Sequence, residues 1–180
     1  MQELSMNILD IAENSAAAGA SAVEITVSFA DDGTLLLVIE DDGSGMDKEK
    51  LESVTDPFHT SRTTRKVGLG VPFIKMAAEQ TGGDFHIESE PGKGTLVRAA
   101  FHLDHIDMVP LGDMGATMAA LISGNPKMDF ICSIRRKDRS FTLDTRELKQ
   151  ILDGVPIESP EVAVFIKGYV DENLEPVLRE

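Results

Sequence analysis

The chain has 180 residues, 17 basic against 31 acidic, for a net charge of −14 and an isoelectric point near 4.6. That balance argues against nucleic acid or an anionic membrane as main partner, because phosphate-backbone contacts need clustered Lys and Arg. The single cysteine, Cys132, rules out a disulfide framework or thiolate cage, and no apolar run reaches bilayer length, so a cytoplasmic protein is expected.

In chain order, Glu3 to Gly19 reads as an amphipathic helix, with Leu4, Ile8, Ile11 and Ala12 at helical spacing and Gly19 as its stop. Two β-branched runs, Ser21–Phe29 and Thr34–Glu40, flank the turn signal "DDGT" and predict a hairpin. A short helix is expected from Asp47, then a surface loop over "DPFHTSRTTRKVGLG", then a helix from Val71 to Thr81 ended by Gly82-Gly83. Strands follow at Asp84–Glu90 and Gly94–Leu103. Beyond His105 the character changes. A connector, "DMVPLGDMG", leads to a helix at Ala116–Ile122, a hairpin of Phe130–Arg136 with Ser140–Leu143, a helix at Thr145–Leu152, and a last helix after Pro160.

Three stretches invite a chemical reading. Glu3, Asn7, Asp10 and Asn14 share one stripe of the first helix, flanking its apolar face. Such an edge can line a cleft while the helix stays docked, although a solvated face would show the same pattern. Asp41-x-Gly43-x-Gly45 closes a strand. A carboxylate there can accept a hydrogen bond from the exocyclic amine of a purine, and glycines permit close approach; an ordinary Asx turn would also use these residues. Finally, Val67-Gly68-Leu69-Gly70-Val71 enters a helix, where accessible backbone amides suit phosphate. No Walker motif and no Gly-x-Gly-x-x-Gly dinucleotide fingerprint is present.

The order of these stretches resembles the GHKL (Bergerat-fold) ATPases, which include gyrase, the heat-shock 90 chaperones, histidine kinases and mismatch-repair MutL. "ILDIAENSAAAGAS" looks like their asparagine box in its MutL-like form, "EDDGSGM" like the first glycine box and "DPFHTSR" like the phenylalanine box. "GLGVPFIKMAAEQTGGDFHIESEPGKGT" is similar to the second glycine box running into the third, and the whole covers residues 3–103. The resemblance implies an α/β (α+β) fold, a two-layer sandwich of a mixed β-sheet covered by helices on one face. That domain would span 1–104, with a small α+β C-terminal appendage of unknown role at 105–180.

ATP and Mg²⁺ are the implied ligands. Asn14 would hold the metal, Asp41 would receive the adenine amino group, Gly43 and Gly45 would shape the adenine wall, and Met46 would pack on the base. Residues 59–67 would form a lid whose Arg62, Arg65 and Lys66 contact phosphate, unless those cations serve only solubility. Gly68, Leu69 and Gly70 would present amides to the phosphates, and Thr95 would lie near the adenine.

Two departures bear on catalysis. Where MutL-like members carry a water-activating glutamate four residues before the metal asparagine, this chain has Asp10, whose carboxylate falls roughly 1.5 Å short. The second glycine box also lacks its leading glycine, replaced by Lys66. Binding is thus better founded than turnover. No phospho-acceptor histidine box is found; His105 precedes Pro110 by five residues but lacks the adjacent acid and basic residue. The expectation is an ATP-Mg-binding, histidine-kinase-like regulatory protein that passes the γ-phosphate to a separate protein partner or substrate. The alternatives are an ATP-gated binding module without catalysis and a slow MutL-like ATPase that would need a transducer domain. A homodimer is compatible with all three.

Overall fold

The computed structural model describes residues 3–56 and 70–179. Twelve elements occur among them in the order α1 (Leu4–Ala17), β1 (Ala22–Phe29), β2 (Thr34–Asp41), α2 (Lys48–Val54), α3 (Gly70–Gln80), β3 (Phe85–Glu90), β4 (Gly94–His102), α4 (Met114–Gly124), β5 (Asp129–Arg136), β6 (Arg139–Asp144), α5 (Thr145–Leu152) and α6 (Pro160–Leu178). These match the expected elements to within a few residues. The loop expected after Asp56 lies outside the described residues.

The strands form one mixed sheet in the order β3-β4-β2-β1-β5-β6, antiparallel except where β1 runs parallel to β5. Period-two patterning sets the faces. Val23, Ile25 and Val27 on β1, Leu35, Leu37 and Ile39 on β2, and Phe130, Cys132 and Ile134 on β5 are all buried. They meet the apolar stripes of the helices, with Leu4, Ile8 and Ile11 of α1, Ile74 of α3, Met118 of α4 and Ile166 of α6 in the same core. The opposite face carries exposed Glu24, Glu40, Arg98 and Arg135. Burial pushes the Cys132 thiol up to about 12, which leaves it inert as a nucleophile at neutral pH.

Residues 105–180, expected as an appendage, add two strands to the same sheet and share its core. The reason is the edge. Without β5, the apolar strand β1 would end the sheet with unpaired backbone groups; parallel pairing of Ile25 with Cys132 closes that edge and α4 lies against α1. The connector completes α1 as well. No side chain caps its N-terminus, and instead the Leu4 and Ser5 amides donate to the carbonyls of Pro110 and Leu111 at 3.0 and 2.8 Å. At the far end, Arg136 donates to the Leu178 carbonyl and Arg139 to the carbonyls of Pro176 and Arg179, so the basic β5–β6 hairpin neutralises the C-terminus of α6.

Side-chain caps start α4 and α5, as one does α2. Asp113 accepts from the Ala116 amide at 2.8 Å and Asp144 from the Arg146 amide at 2.9 Å. The Ala116 amide, helped by Lys167, holds the Asp113 carboxyl below the usual carboxylate range, and the Arg146 guanidinium does so for Asp144. A lowered folded value means stability that is present above the ordinary carboxylate pKa and lost as pH falls through the folded one. Asp113→Ala is therefore expected to lower stability by about 1 kcal/mol at neutral pH in urea unfolding. The gap to the parent protein should shrink below roughly pH 4.

Candidate functional site

The end of β2 is where helix, sheet and loop converge. Antiparallel register places Asp41 between Val23 of β1 and Thr95 of β4, and Thr95 in turn opposite Ser89 of β3. Two donors fix the Asp41 carboxylate. The Ser15 hydroxyl of α1 donates to Oδ2 at 2.6 Å and the Gly43 amide donates to Oδ1 at 2.9 Å. Ser15 Oγ also lies 3.3 Å from the Ile11 carbonyl, but a hydroxyl has one proton and the shorter, charged contact holds it. Each carboxylate oxygen keeps a free lone pair for a ligand.

The neighbouring acid has a different task. Asp42 accepts from the Ser21 amide at 2.7 Å, the Ala22 amide at 3.0 Å and the Ser21 hydroxyl, tying the loop after β2 to the turn between α1 and β1. The Ser21 hydroxyl is the main reason its carboxyl sits below the usual range. Of the two acids, Asp42 is committed to the turn and Asp41 lines the cavity.

The glycines hold the following loop between α1 and the β3–β4 hairpin. Ser44 donates its amide to the Ala18 carbonyl at 2.9 Å and accepts from the Gly92 amide at 2.7 Å. Gly45 has φ +66°, and a Cβ there would come 1.9 Å from the Glu90 carbonyl oxygen. No other residue fits. The Met46 amide then donates to Ser89 Oγ at 2.8 Å, and that hydroxyl lies 2.9 Å from Thr95 Oγ1.

The result is a cavity of about 260 Å³ with apolar walls from Ile11, Ile39, Met46, Val71, Ile87 and Val97 and polar groups from Asn14, Ser15, Asp41, Ser44 and Thr95. Such a mixture, mostly apolar with a few convergent polar groups, suits a flat heteroaromatic ligand. Of the residues expected from sequence, Asn14, Asp41, Gly45, Met46 and Thr95 line this one space, and Gly43 stands behind Asp41. Gly70 opens α3 against α1, close enough that a Cβ would come 2.7 Å from the Asp10 Cβ. Asp10 itself is exposed, one turn before Asn14. Arg62, Arg65, Lys66, Gly68 and Leu69 lie outside the described residues.

Among the lining residues that escaped the sequence reading are Ser15 and Lys50. Ser15 is buried in the row that continues Leu4, Ile8 and Ile11, and a hydroxyl in an otherwise apolar row is a signal that could have been read. Lys50 lines the cavity from α2 and carried no such signal. Among the described residues, no three His, Cys, Asp or Glu side chains gather to hold a metal ion. The donors present, the Asn14 amide oxygen and the nearby Asp10 carboxylate, are hard oxygen ligands that fit Mg²⁺ taking its other ligands from phosphate and water.

Comparison with known proteins accords with this geometry. Residues 1–105 match the family described as histidine kinase-, DNA gyrase B-, and HSP90-like ATPase. The chain belongs to this family. It is 34% identical over 79 residues to sporulation kinase E of Bacillus subtilis, covering 44% of this chain and 10% of that kinase. It is 28% identical over 102 residues to sporulation kinase C of the same species, covering 56% and 24%. To the cell-division control histidine kinase PdhS of Brucella anthropi it is 29% identical over 114 residues, covering 56% and 11%. The match thus spans a quarter or less of these relatives' lengths. Among solved structures, the N-terminal domain of a DNA repair protein superposes with TM-score 0.55 at 12% identity, over 80% of this chain and 53% of that one, a likeness of fold. The chain therefore carries an ATP-binding, histidine-kinase-like ATPase domain. No helix among the described residues is long and apolar enough to cross a membrane.

The loop geometry separates two glycines that share a positive φ. Gly33, at φ +81°, has nothing within 4 Å of its notional Cβ, whereas Gly45 meets backbone. Gly33→Ala should cost about 1 kcal/mol from the backbone conformation alone. Gly45→Ala should cost well over twice that and weaken nucleotide binding, as read by urea unfolding and calorimetry.

Proposed function

We propose that the protein binds Mg-ATP in this cavity and acts as a histidine-kinase-like regulator that passes the γ-phosphate to a separate protein. The carrying observation is the Asp41 carboxylate, fixed by Ser15 and Gly43 at the end of an apolar cavity that Asn14 also lines. A carboxylate held this way accepts from an exocyclic amine and disfavours a carbonyl at the same position, selecting adenine over guanine. Met46, Ile87 and Val97 supply apolar surface for the ring. Asn14 would hold the metal through its amide oxygen, and the bound cation would offset phosphate charge. Asp10, exposed and one turn before Asn14, would be the group that takes the proton of an attacking hydroxyl.

A second reading has its own support in Asp10. Its side chain is one methylene shorter than the glutamate of MutL-like members, and Gly70 packs against its Cβ, so reach is limited from the backbone outward. On that reading the protein is an ATP-gated binding module, and nucleotide changes which partner surface is presented.

Calorimetric titration with Mg-ATP tests the shared part. Asp41→Asn is expected to weaken binding by more than about tenfold, and Asn14→Ala to abolish its dependence on Mg²⁺. Incubation with γ-labelled ATP and co-purified protein then separates the readings. Label on the partner that disappears in Asp10→Ala supports transfer, whereas nucleotide-dependent partner binding that survives Asp10→Ala, without label, supports the module.

A further inference from the structure

A strongly acidic chain that binds a polyanion must supply positive charge locally, and the cavity wall contains one basic side chain among the described residues, Lys50. Its position is built rather than incidental. Asp47, directly after Met46 of the glycine loop, caps α2 by accepting from the Lys50 amide at 2.9 Å. That bond sets the start of α2 relative to the cavity. Lys50 and Val54, one turn apart, then present the same face of the helix to it. Val54 packs on the core, which fixes the rotation of α2 about its axis.

Among the described residues the ammonium has no competing partner. The ion pairs among the described residues involve other cations, and Lys50 takes part in none, although Glu49 and Glu52 stand on the same short helix. The cavity lining therefore carries both signs of charge, the Asp41 carboxylate and the Lys50 side chain, with apolar residues beside them. A ligand with an amine donor on a flat ring and an anionic tail matches both ends. A ligand lacking the tail matches only one.

We infer that Lys50 is a phosphate-recognition residue, pairing with the anionic part of the nucleotide whose base is held at Asp41. The inference rests on the nucleotide reading above and assigns the site a cation outside the glycine-box and lid stretches. Lysine suits the role because its flexible stem and compact charge follow a phosphate without demanding a fixed orientation. Contact at a solvent-open wall has a moderate effect, and salt screens it.

The test is calorimetric titration of the full chain with adenosine, AMP and ADP, in the parent protein and in Lys50→Arg, Lys50→Gln and Lys50→Glu. Lys50→Gln is expected to weaken ADP binding about five- to tenfold and Lys50→Glu further, with Lys50→Arg within about twofold of the parent. Adenosine affinity should be unchanged in all three, and the ADP difference should narrow as salt rises. Comparison of AMP with ADP identifies which phosphate is met. Equal ADP affinity across the series, or an equal loss for adenosine, overturns the assignment of Lys50. Loss of ADP binding in Asp41→Asn alongside an indifferent Lys50 series removes only this inference. A parent protein that binds none of the three ligands removes it together with the nucleotide reading.

Discussion

The hydrogen bond from Ser15 to Asp41 joins the three parts on which this site depends. Ser15 belongs to the first helix, Asp41 ends the second strand, and the opposite oxygen of the same carboxylate takes the first glycine amide of the loop. Helix, sheet and loop are thereby locked to one charged group. The geometry has an energetic logic. A carboxylate beside apolar walls is costly unless its lone pairs are satisfied, and two short donors meet part of that need while leaving capacity toward the cavity. The described part of the site is consequently shaped before any ligand arrives, which lowers the ordering cost of binding.

Much of this was legible in the residues. The alternation Val23, Ile25, Val27 against Glu24, Thr26, Ser28 could describe nothing but a half-buried strand, and "DDGT" named its turn. Asp41, Gly45, Met46, Asn14 and Thr95 were each expected at the site, and one cavity gathers them. What the linear reading could not supply was the partner of each group. Asp41 and Asp42 are chemically identical neighbours, and only the path of the chain after the first helix, with Ser21 folded back onto Asp42, tells them apart.

The part of the chain after residue 105 was harder for a different reason. Its helices and hairpin were visible as elements, but a parallel pairing between β1 and β5 depends on residues more than a hundred positions apart, and no local pattern encodes such a contact. The edge of the N-terminal sheet offers a clue in retrospect, since β1 is too apolar to face solvent along its length. Lys50 was missed on similar grounds. A lysine on a short, mostly exposed helix looks like solubility until the cap at Asp47 shows which way the helix is set.

The family match ends at residue 105, yet the helix bearing Ser15 and Asn14 is not finished there. Its leading amides are received by carbonyls at positions 110 and 111, Thr117 donates to the Ser5 carbonyl, and Asn125 reaches back to Glu13. A fragment cut at the homology boundary would retain every motif and lose the scaffolding that holds the first of them in register. For this chain, the stretch that carries the motifs is shorter than the unit that shares one sheet and one core.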